Sequence, residues 1–357
     1  MIVPQKVPLP TLTNYSILLD KLLESEAIRD NSGLGDGAVS SVSVSVKGRK
    51  YWYLQKRTGH TRKRVYVGPD TEETRNRISN ILEAEKHVER NSVVIDNLVA
   101  MLSAVKIART KSDEQKVLRG LHKSGIFSAG GILAGTMAFR LYPFLTGYDV
   151  VAREPYATLD IDHSYNRKID VFIDRDRGDP QEILKNIPLI GTPTRDPKHG
   201  SYQFPIKGTD LTLDILTTLD PKEDRPEDIK SVNEIGFMAK PLEFMDYLAK
   251  EPVRAAIPDM GILVNIPSPS RYMIHKIVIS TQRQNDPKKI KDGLQAEVLA
   301  SVIPKENMIL AMKDFFKMYG SKGKSIFDSG LGNLDENSRE IMKWVVKNSR
   351  VISPRPR

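Results

Sequence analysis

Residues 157–166 read ATLDIDHSYN. Two aspartates, Asp160 and Asp162, stand one residue apart in an apolar setting. A strand alternates its side chains between faces, so this pattern turns both carboxylates to one side and Leu159, Ile161 and His163 to the other. Like charges this close raise each other's pKa unless a cation relieves them. Paired carboxylates on a rigid strand suit a divalent cation that keeps positions open for water and phosphate oxygens, as magnesium does. D-x-D is also common at solvated strand ends, so the surrounding chain has to decide.

Upstream lies GGILAGTMAF, residues 130–139. The pattern predicts an apolar strand that ends at Gly135 and Thr136, where a helix opens. Glycine there lets a backbone approach closely, and a helix start presents free N–H groups to a phosphate. Gly130–Gly131 is an alternative turn, placed before the strand. Downstream, TDLTLDILTTL (residues 209–219) puts Asp214 between Leu213 and Ile215 in a second apolar strand. A charge in mid-strand needs a partner, and a shared metal would supply one. Asp170 and Asp174 of IDVFID are expected on a solvated face or at a strand end, with Asp170 the alternative to Asp214 as a third carboxylate. His163 is expected to be packed or exposed, with metal ligation the alternative; His275 is expected to be packed or hydrogen-bonded, and the glycine of KHGSY to be a hairpin turn.

The 357 residues allow two or three domains, and a hydrophobic fraction of 39% allows a sizeable core. The absence of cysteine excludes disulfides, thiolate metal sites and cysteine nucleophiles, and fits a reducing compartment. No apolar run is long enough to span a bilayer, and MIVPQKVPLP lacks a signal-peptide core, so the expected setting is cytoplasmic with no membrane partner. A net charge of +9 favours a polyanionic partner.

That charge is concentrated. Residues 47–64, KGRKYWYLQKRTGHTRKR, hold eight lysines and arginines and no acid, with Tyr51, Trp52 and Tyr53 among them. Cations meet phosphates and aromatic faces stack on unpaired bases, so Lys50, Trp52, Lys56, Arg57, Arg62, Lys63 and Arg64 are candidate nucleic-acid contacts. The alternative is that the aromatics pack on a helix while the charges are solvated. Period-two alternation over residues 40–68 predicts a small antiparallel sheet with a hairpin between its last two strands. A helix precedes it from Thr11 to Arg29. A long one follows from GPDTEE, with a break expected at Asn91–Ser92. Residues from Pro269 to about Asn348 read as mostly helical.

A helix-opening G-S/T, then D-h-D, then a lone acid on a later strand resembles the DNA polymerase β-like nucleotidyltransferase superfamily. The stretch SPSRYMIHKIVISTQRQNDPKKIKDGLQAEVLA, residues 268–300, is similar to the helical segment of the bacterial minimal nucleotidyltransferases, including toxin and abortive-infection types. That group carries R-y-x-x-H-K-l followed by K-x-x-K-D-x-x-Q-A. The order agrees over residues 126–303, about half of the chain, although the interval from Gly135 to Asp160 is longer than in the minimal motif. GRKYWYLQKR with YVGP also resembles the leader of one subgroup.

The resemblance implies an α+β fold: a nucleotidyltransferase palm with a mixed sheet and flanking helices over 126–265, a basic N-terminal β/helix module over 1–125, and a helical C-terminal domain over 266–350. It implies that Gly135 and Thr136 form the phosphate-binding turn, that Asp160 and Asp162 are the metal pair, and that Asp214 is the third carboxylate. Lys276 would contact triphosphate or base, with Arg271 and Arg283 behind it. Lys291 and Asp292 would orient that lysine or the nucleotide. The implied activity is transfer of an NMP from an NTP, with Mg2+ or Mn2+, to an acceptor hydroxyl on nucleic acid such as a tRNA end. Transfer of AMP to a protein, with an antitoxin or protein acceptor as partner, and a non-catalytic nucleic-acid-binding scaffold are the rival readings.

Overall fold

The computed structural model describes residues 4–32, 39–58, 61–151, 167–173, 203–218, 230–232, 237–283 and 286–349. The chain divides into two compact units, residues 13–104 and residues 1–12 with 105–357. Among the described residues no helix is long and apolar enough to cross a membrane.

The smaller unit holds most of α1 (Leu9–Ser32), the strands β1 (Val39–Val46), β2 (Arg49–Thr58) and β3 (Thr61–Pro69), and α2 (Glu72–Val105). The strands form an antiparallel sheet in chain order. Lys47 and Gly48 make the first turn with positive φ of 50° and 74°, the twist that a tight hairpin demands. A bulge between Trp52 and Tyr53 shifts the pairing with β3. The helix α2 opens with Thr71, whose Oγ1 accepts from the Thr74 amide, and with Glu72 and Glu73 in its first turn, where the helix dipole favours acids. It then runs for 34 residues without the break expected at Asn91–Ser92. Asn91 is buried and donates to Glu24 Oε2 (3.0 Å) and Ser25 Oγ (3.4 Å) of α1, so its amide satisfies the neighbouring helix and does not compete for its own backbone.

The larger unit is built on an eight-stranded mixed sheet. Its strands are β4 (Ile132–Ala134), β5 (Arg167–Phe172), β6 (Gln203–Pro205), β7 (Leu211–Thr218), β8 (Lys230–Val232), β9 (Phe237–Leu242), β10 (Val253–Ile257) and β11 (Ile262–Ile266). Their order is β10-β11-β4-β5-β7-β9-β8, and β6 pairs with the first half of β7. β5 lies antiparallel to β4 and parallel to β7, and β9 is parallel to β7. One face of the central strands is apolar: Ile169, Val171, Leu213 and Ile215 are completely buried. Burying four such side chains contributes on the order of 6–12 kcal/mol before entropy is counted.

Helices flank this sheet: α3 (Ser112–Lys123), the short α4 (Gly135–Phe139), α5 (Tyr142–Thr146) and α6 (Met245–Ala249), then α7 (Pro269–Ser280), α8 (Asp286–Ala300), α9 (Lys305–Gly330) and α10 (Glu336–Ser349). The mixed sheet with its helical C-terminal region is the α+β palm architecture expected from the sequence. Ser268 caps α7 by accepting from the Arg271 amide, and Pro269 occupies the first turn, where its missing N–H costs nothing. Nine of the twelve residues of α7 are buried, including Arg271, His275 and Lys276, so this helix is the spine of the unit. The expected strand before the glycine turn is also in place. Asn265 on β11 donates to the carbonyls of Phe127 (2.7 Å) and Gly131 (2.9 Å), which fixes the approach to β4. Gly131 itself is a packing glycine, since a Cβ there would meet the Ile126 carbonyl at 2.8 Å.

Candidate active site

β4 ends at Ala134, and the chain turns into α4 through Gly135 at φ +59°. Only glycine adopts such a φ without strain. A second constraint acts at the same atom. A Cβ on Gly135 would lie 2.2 Å from Oδ2 of Asp170 and 3.1 Å from its Cγ. The turn therefore receives the Asp170 carboxyl directly against its backbone. Thr136, the next residue, is half-buried at the start of α4.

Asp170 is the residue of β5 that pairs with Ala134 on one side and with Asp214 on the other. Partners in register on neighbouring strands share a face, so the two carboxylates project together, opposite the apolar side. Asp214 is buried and accepts a short hydrogen bond from Lys168, two residues before Asp170. Burial, and then the charge of Asp214, raise the Asp170 carboxyl above its ordinary range, while Lys168, Lys276 and Arg283 pull it down. Asp170 is half-buried and shares its face with Asp214, so it is not simply a solvated strand charge. The reason is long-range: parallel pairing with β7 cannot be read from the local sequence.

The helices hold the turn from behind. The Tyr272 hydroxyl on α7 lies 3.2 Å from the Gly135 carbonyl oxygen and 2.9 Å from Gln295 Oε1 on α8. One helical turn later, Lys276 Nζ donates to Asp292 Oδ1 at 2.5 Å and sits 5.1 Å over the Tyr272 ring. Arg283 Nε donates to the other carboxylate oxygen of Asp292 at 3.0 Å. Burial works to raise the Asp292 pKa, but Lys276 and Arg283 together hold it below the usual range. His275, beside Lys276, is buried, and neither ring nitrogen has a hydrogen-bond partner among the described residues. Burial first, and then the Lys276 charge, lower its pKa to about 3, so it is a neutral packed histidine.

Cations gather on the open side. Lys288 on α8 is exposed, and its pKa is lowered by partial desolvation and then by the charges of Lys168, Arg283 and Lys240, with Asp214 opposing. Basic groups from β5, β9 and the segment after α7 thus act on Lys288 of α8, together with the carboxylate of Asp214. Lys168, Lys240 and Lys288 escaped the sequence reading. The only local signal was the run KK at 288–289, since the other two become neighbours only through strand pairing.

Among the residues expected from sequence, Gly135, Thr136 and Asp214 occur in this constellation, and Lys276 pairs with Asp292. Lys291 is half-buried on α8 next to Asp292. Arg271 points elsewhere: it is buried, donates to Glu251 (2.9 Å) and Asp314 (2.5 Å), and lies over the Tyr247 ring. Asp160, Asp162, His163, Asp174 and the glycine of KHGSY lie outside the described residues. Trp52 donates to Asp70 Oδ1 at 2.7 Å with Lys50 over its ring, and Arg64 is exposed; the side chains of Lys56, Arg57, Arg62 and Lys63 lie outside the description.

The donor set fits a divalent cation. Two carboxylates side by side, one with its acidity weakened by burial and then by the charge of the other, supply the hard oxygen ligands that magnesium takes. Among the described residues no group of three or more histidine, aspartate or glutamate side chains is arranged to hold a metal ion.

A family model described as nucleotidyltransferase matches residues 112–318, more than half of the chain, from α3 through the sheet into α9. The chain belongs to this nucleotidyltransferase family. It is therefore a transferase that moves a nucleoside monophosphate from a nucleoside triphosphate. No curated protein and no solved structure matches it. The matched segment contains the glycine turn, Asp170, Asp214 and the Lys276–Asp292 pair.

Proposed function

We propose that this nucleotidyltransferase transfers the NMP to a hydroxyl of nucleic acid, such as a tRNA end, in a magnesium- or manganese-dependent reaction. The observation that carries the reading is the pairing of Asp170 with Asp214 directly beside the Gly135 turn. In this reading Asp160 and Asp162 join Asp170 and Asp214 as the metal-holding set, and Asp170 also abuts the glycine. A divalent cation bound there would neutralise the triphosphate and lower the pKa of the acceptor hydroxyl. The acceptor oxygen attacks the α-phosphorus, the bond to the bridging oxygen breaks, and pyrophosphate leaves. The hydroxyl proton passes to Asp214. Backbone N–H groups at Gly135 and Thr136, with the Thr136 hydroxyl, hold phosphate oxygens. Lys168, Lys240, Arg283 and Lys288 balance the charge that grows on the leaving pyrophosphate. Lys276 and Asp292, with Lys291 alongside, position Tyr272 and hence the glycine turn. The domain over 126–265 supplies the chemistry and that over 266–350 its support. The N-terminal module contributes Lys50, Lys56, Arg57, Arg62, Lys63 and Arg64 to the nucleic acid, while Trp52 is bonded to Asp70.

The test is incubation of the protein with each labelled NTP, magnesium or manganese, and total cellular RNA and protein. Label in RNA supports the reading. Label in protein favours the AMP-transferring, toxin-type alternative, and no label in either means that the acceptor belongs to neither pool, which overturns the reading. Asp160→Asn, Asp162→Asn and Asp214→Asn should each abolish labelling. If Asp160→Asn and Asp162→Asn label normally while Asp170→Asn does not, the metal pair is Asp170 with Asp214.

A further inference from the structure

The N-terminal sheet has two chemically different faces. Residues directly opposite in an antiparallel pair share a face. Trp52 pairs with Gly68, and Leu54 pairs with Val65. On that face Leu54 is buried, a Cβ on Gly68 would strike Thr74 at 2.8 Å, and Trp52 is bonded to Asp70, so it is committed to the start of α2. The other face carries Tyr51, Tyr53 and, across the strand, Tyr66. The Tyr53 and Tyr66 rings meet edge-on at 5.5 Å, and Tyr51 and Tyr66 lie 6.3 Å apart. Tyr66 is 54% exposed, far more than a core tyrosine. The bulge at Trp52/Tyr53 is what brings Tyr66 opposite Tyr53.

Arginines share this face. Arg49 pairs with Val46 on the tyrosine side and is exposed. Arg64 pairs with Gln55, and its Nε donates to Gln55 Oε1 at 3.2 Å, which lays the guanidinium along the ribbon. The surrounding sequence adds six further cations and no acid. We infer that the Tyr51–Tyr53–Tyr66 face is a stacking platform for an unpaired nucleic-acid strand, with Arg49 and Arg64 on its phosphates. Aromatic rings reach base faces only where bases are unstacked, and the cationic excess selects a polyanion over an acidic patch on a folded protein. The inference rests on the reading that the acceptor is nucleic acid, and it moves the recognition from Trp52 to the tyrosines.

The experiment measures binding of the full-length protein to a fluorescent single-stranded oligoribonucleotide of about 12 nucleotides, a length within the span of one such module, and to the same sequence as a duplex. Replacing both Tyr53 and Tyr66 by alanine should weaken single-strand binding by at least about tenfold, while replacing both by phenylalanine, which keeps the rings, should leave it within about twofold. Arg49→Gln with Arg64→Gln should flatten the salt dependence, and the alanine pair should not. Equal binding by the alanine and phenylalanine pairs, or preference for duplex, overturns the platform. Should the alanine pair fail to fold, photocrosslinking of wild-type protein to a 5-iodouridine strand decides: crosslinks outside residues 49–66 overturn it. The acceptor reading is scored separately by which pool takes up labelled NMP. RNA labelling with unchanged binding in the alanine pair defeats the platform alone. Protein labelling with tyrosine-dependent strand binding defeats the acceptor alone.

Discussion

Replacing Gly135 by alanine tests the centre of the site. The residue sits at φ +59°, where a side chain costs about 1–2 kcal/mol. The new Cβ would also stand 2.2 Å from Asp170 Oδ2, and real contacts require more than 3.0 Å. The carboxyl can swing away, because it is the end of a short side chain, but Cγ at 3.1 Å and Cβ at 3.4 Å are already tight. Swinging to an off-rotamer position costs about 0.5–1.5 kcal/mol. Gly135→Ala should therefore lose about 2–3 kcal/mol of stability, measured by urea unfolding. The two contributions separate in a double-mutant cycle. With Asp170→Ala in the background the clash is gone, so only the backbone cost should remain and the coupling should be about 1 kcal/mol. Function should suffer more than stability. Moving a reacting-site carboxylate by close to 1 Å costs about a hundredfold in kcat/KM, read from transfer of labelled NMP at a temperature where the variant is folded. A Gly135→Ala enzyme with activity within threefold of wild type, or an equal stability cost in both backgrounds, would refute the reasoning.

Two further predictions concern the helices behind the turn. His275 has a pKa of about 3 in the folded chain against 6.5 for an ordinary histidine, so below pH 6.5 the unfolded chain takes up a proton that the folded one refuses. Stability should fall by about 2 kcal/mol between pH 7.5 and pH 5, with the loss continuing towards pH 3, and His275→Leu should remove that slope in pH-dependent thermal unfolding. An unchanged slope would mean that the histidine is charged in the fold. Asp292→Asn should cost about 3 kcal/mol, because it strands the Lys276 ammonium without its counter-charge, and Lys276→Met with Asp292→Leu should recover most of that. Since the pKa of Asp292 is held below its ordinary range, its contribution is present above that range and is lost as pH falls through the folded value; a variant as stable as wild type at pH 7 would exclude this.

How far the sequence was legible depended on the range of the interaction. Helices and the N-terminal sheet followed from local periodicity, and the glycine turn from an apolar strand meeting a helix start. The helix expected to break at Asn91–Ser92 continued because Asn91 is held by α1, a partner more than sixty residues away. Asp170 read first as one of two charges on a wet strand and only second as a rival to Asp214. Its environment is set by β7, whose Asp214 lies in exact register, and by Gly135 at the end of β4, and neither is visible in IDVFID. Lys168 and Lys240 were hidden in the same way. Trp52 stood out in the basic run for its size, yet strand alternation and one bulge assign it to the helix side and leave the tyrosines on the other.

The helical motif gains a meaning from these contacts that its letters lack. Tyr272 and Lys276 are four residues apart on α7 and therefore share a face. Asp292 and Gln295 are three apart on α8 and share theirs. Tyr272 meets Gln295, and Lys276 meets Asp292, so the two pairs form successive rungs between the helices. The upper rung also contacts the Gly135 carbonyl. The glycine turn is thus fixed from two directions, by Asp170 on its Cα side and by Tyr272 on its carbonyl. A residue such as Lys276 can then matter to transfer without touching the nucleotide. Loosening the lower rung should tilt Tyr272 and release the turn, so Asp292→Asn and Tyr272→Phe should both lower kcat, and their effects should be less than additive because they act through one chain of contacts. Fully additive losses would mean that Lys276 acts on the substrate directly and that the rungs are independent.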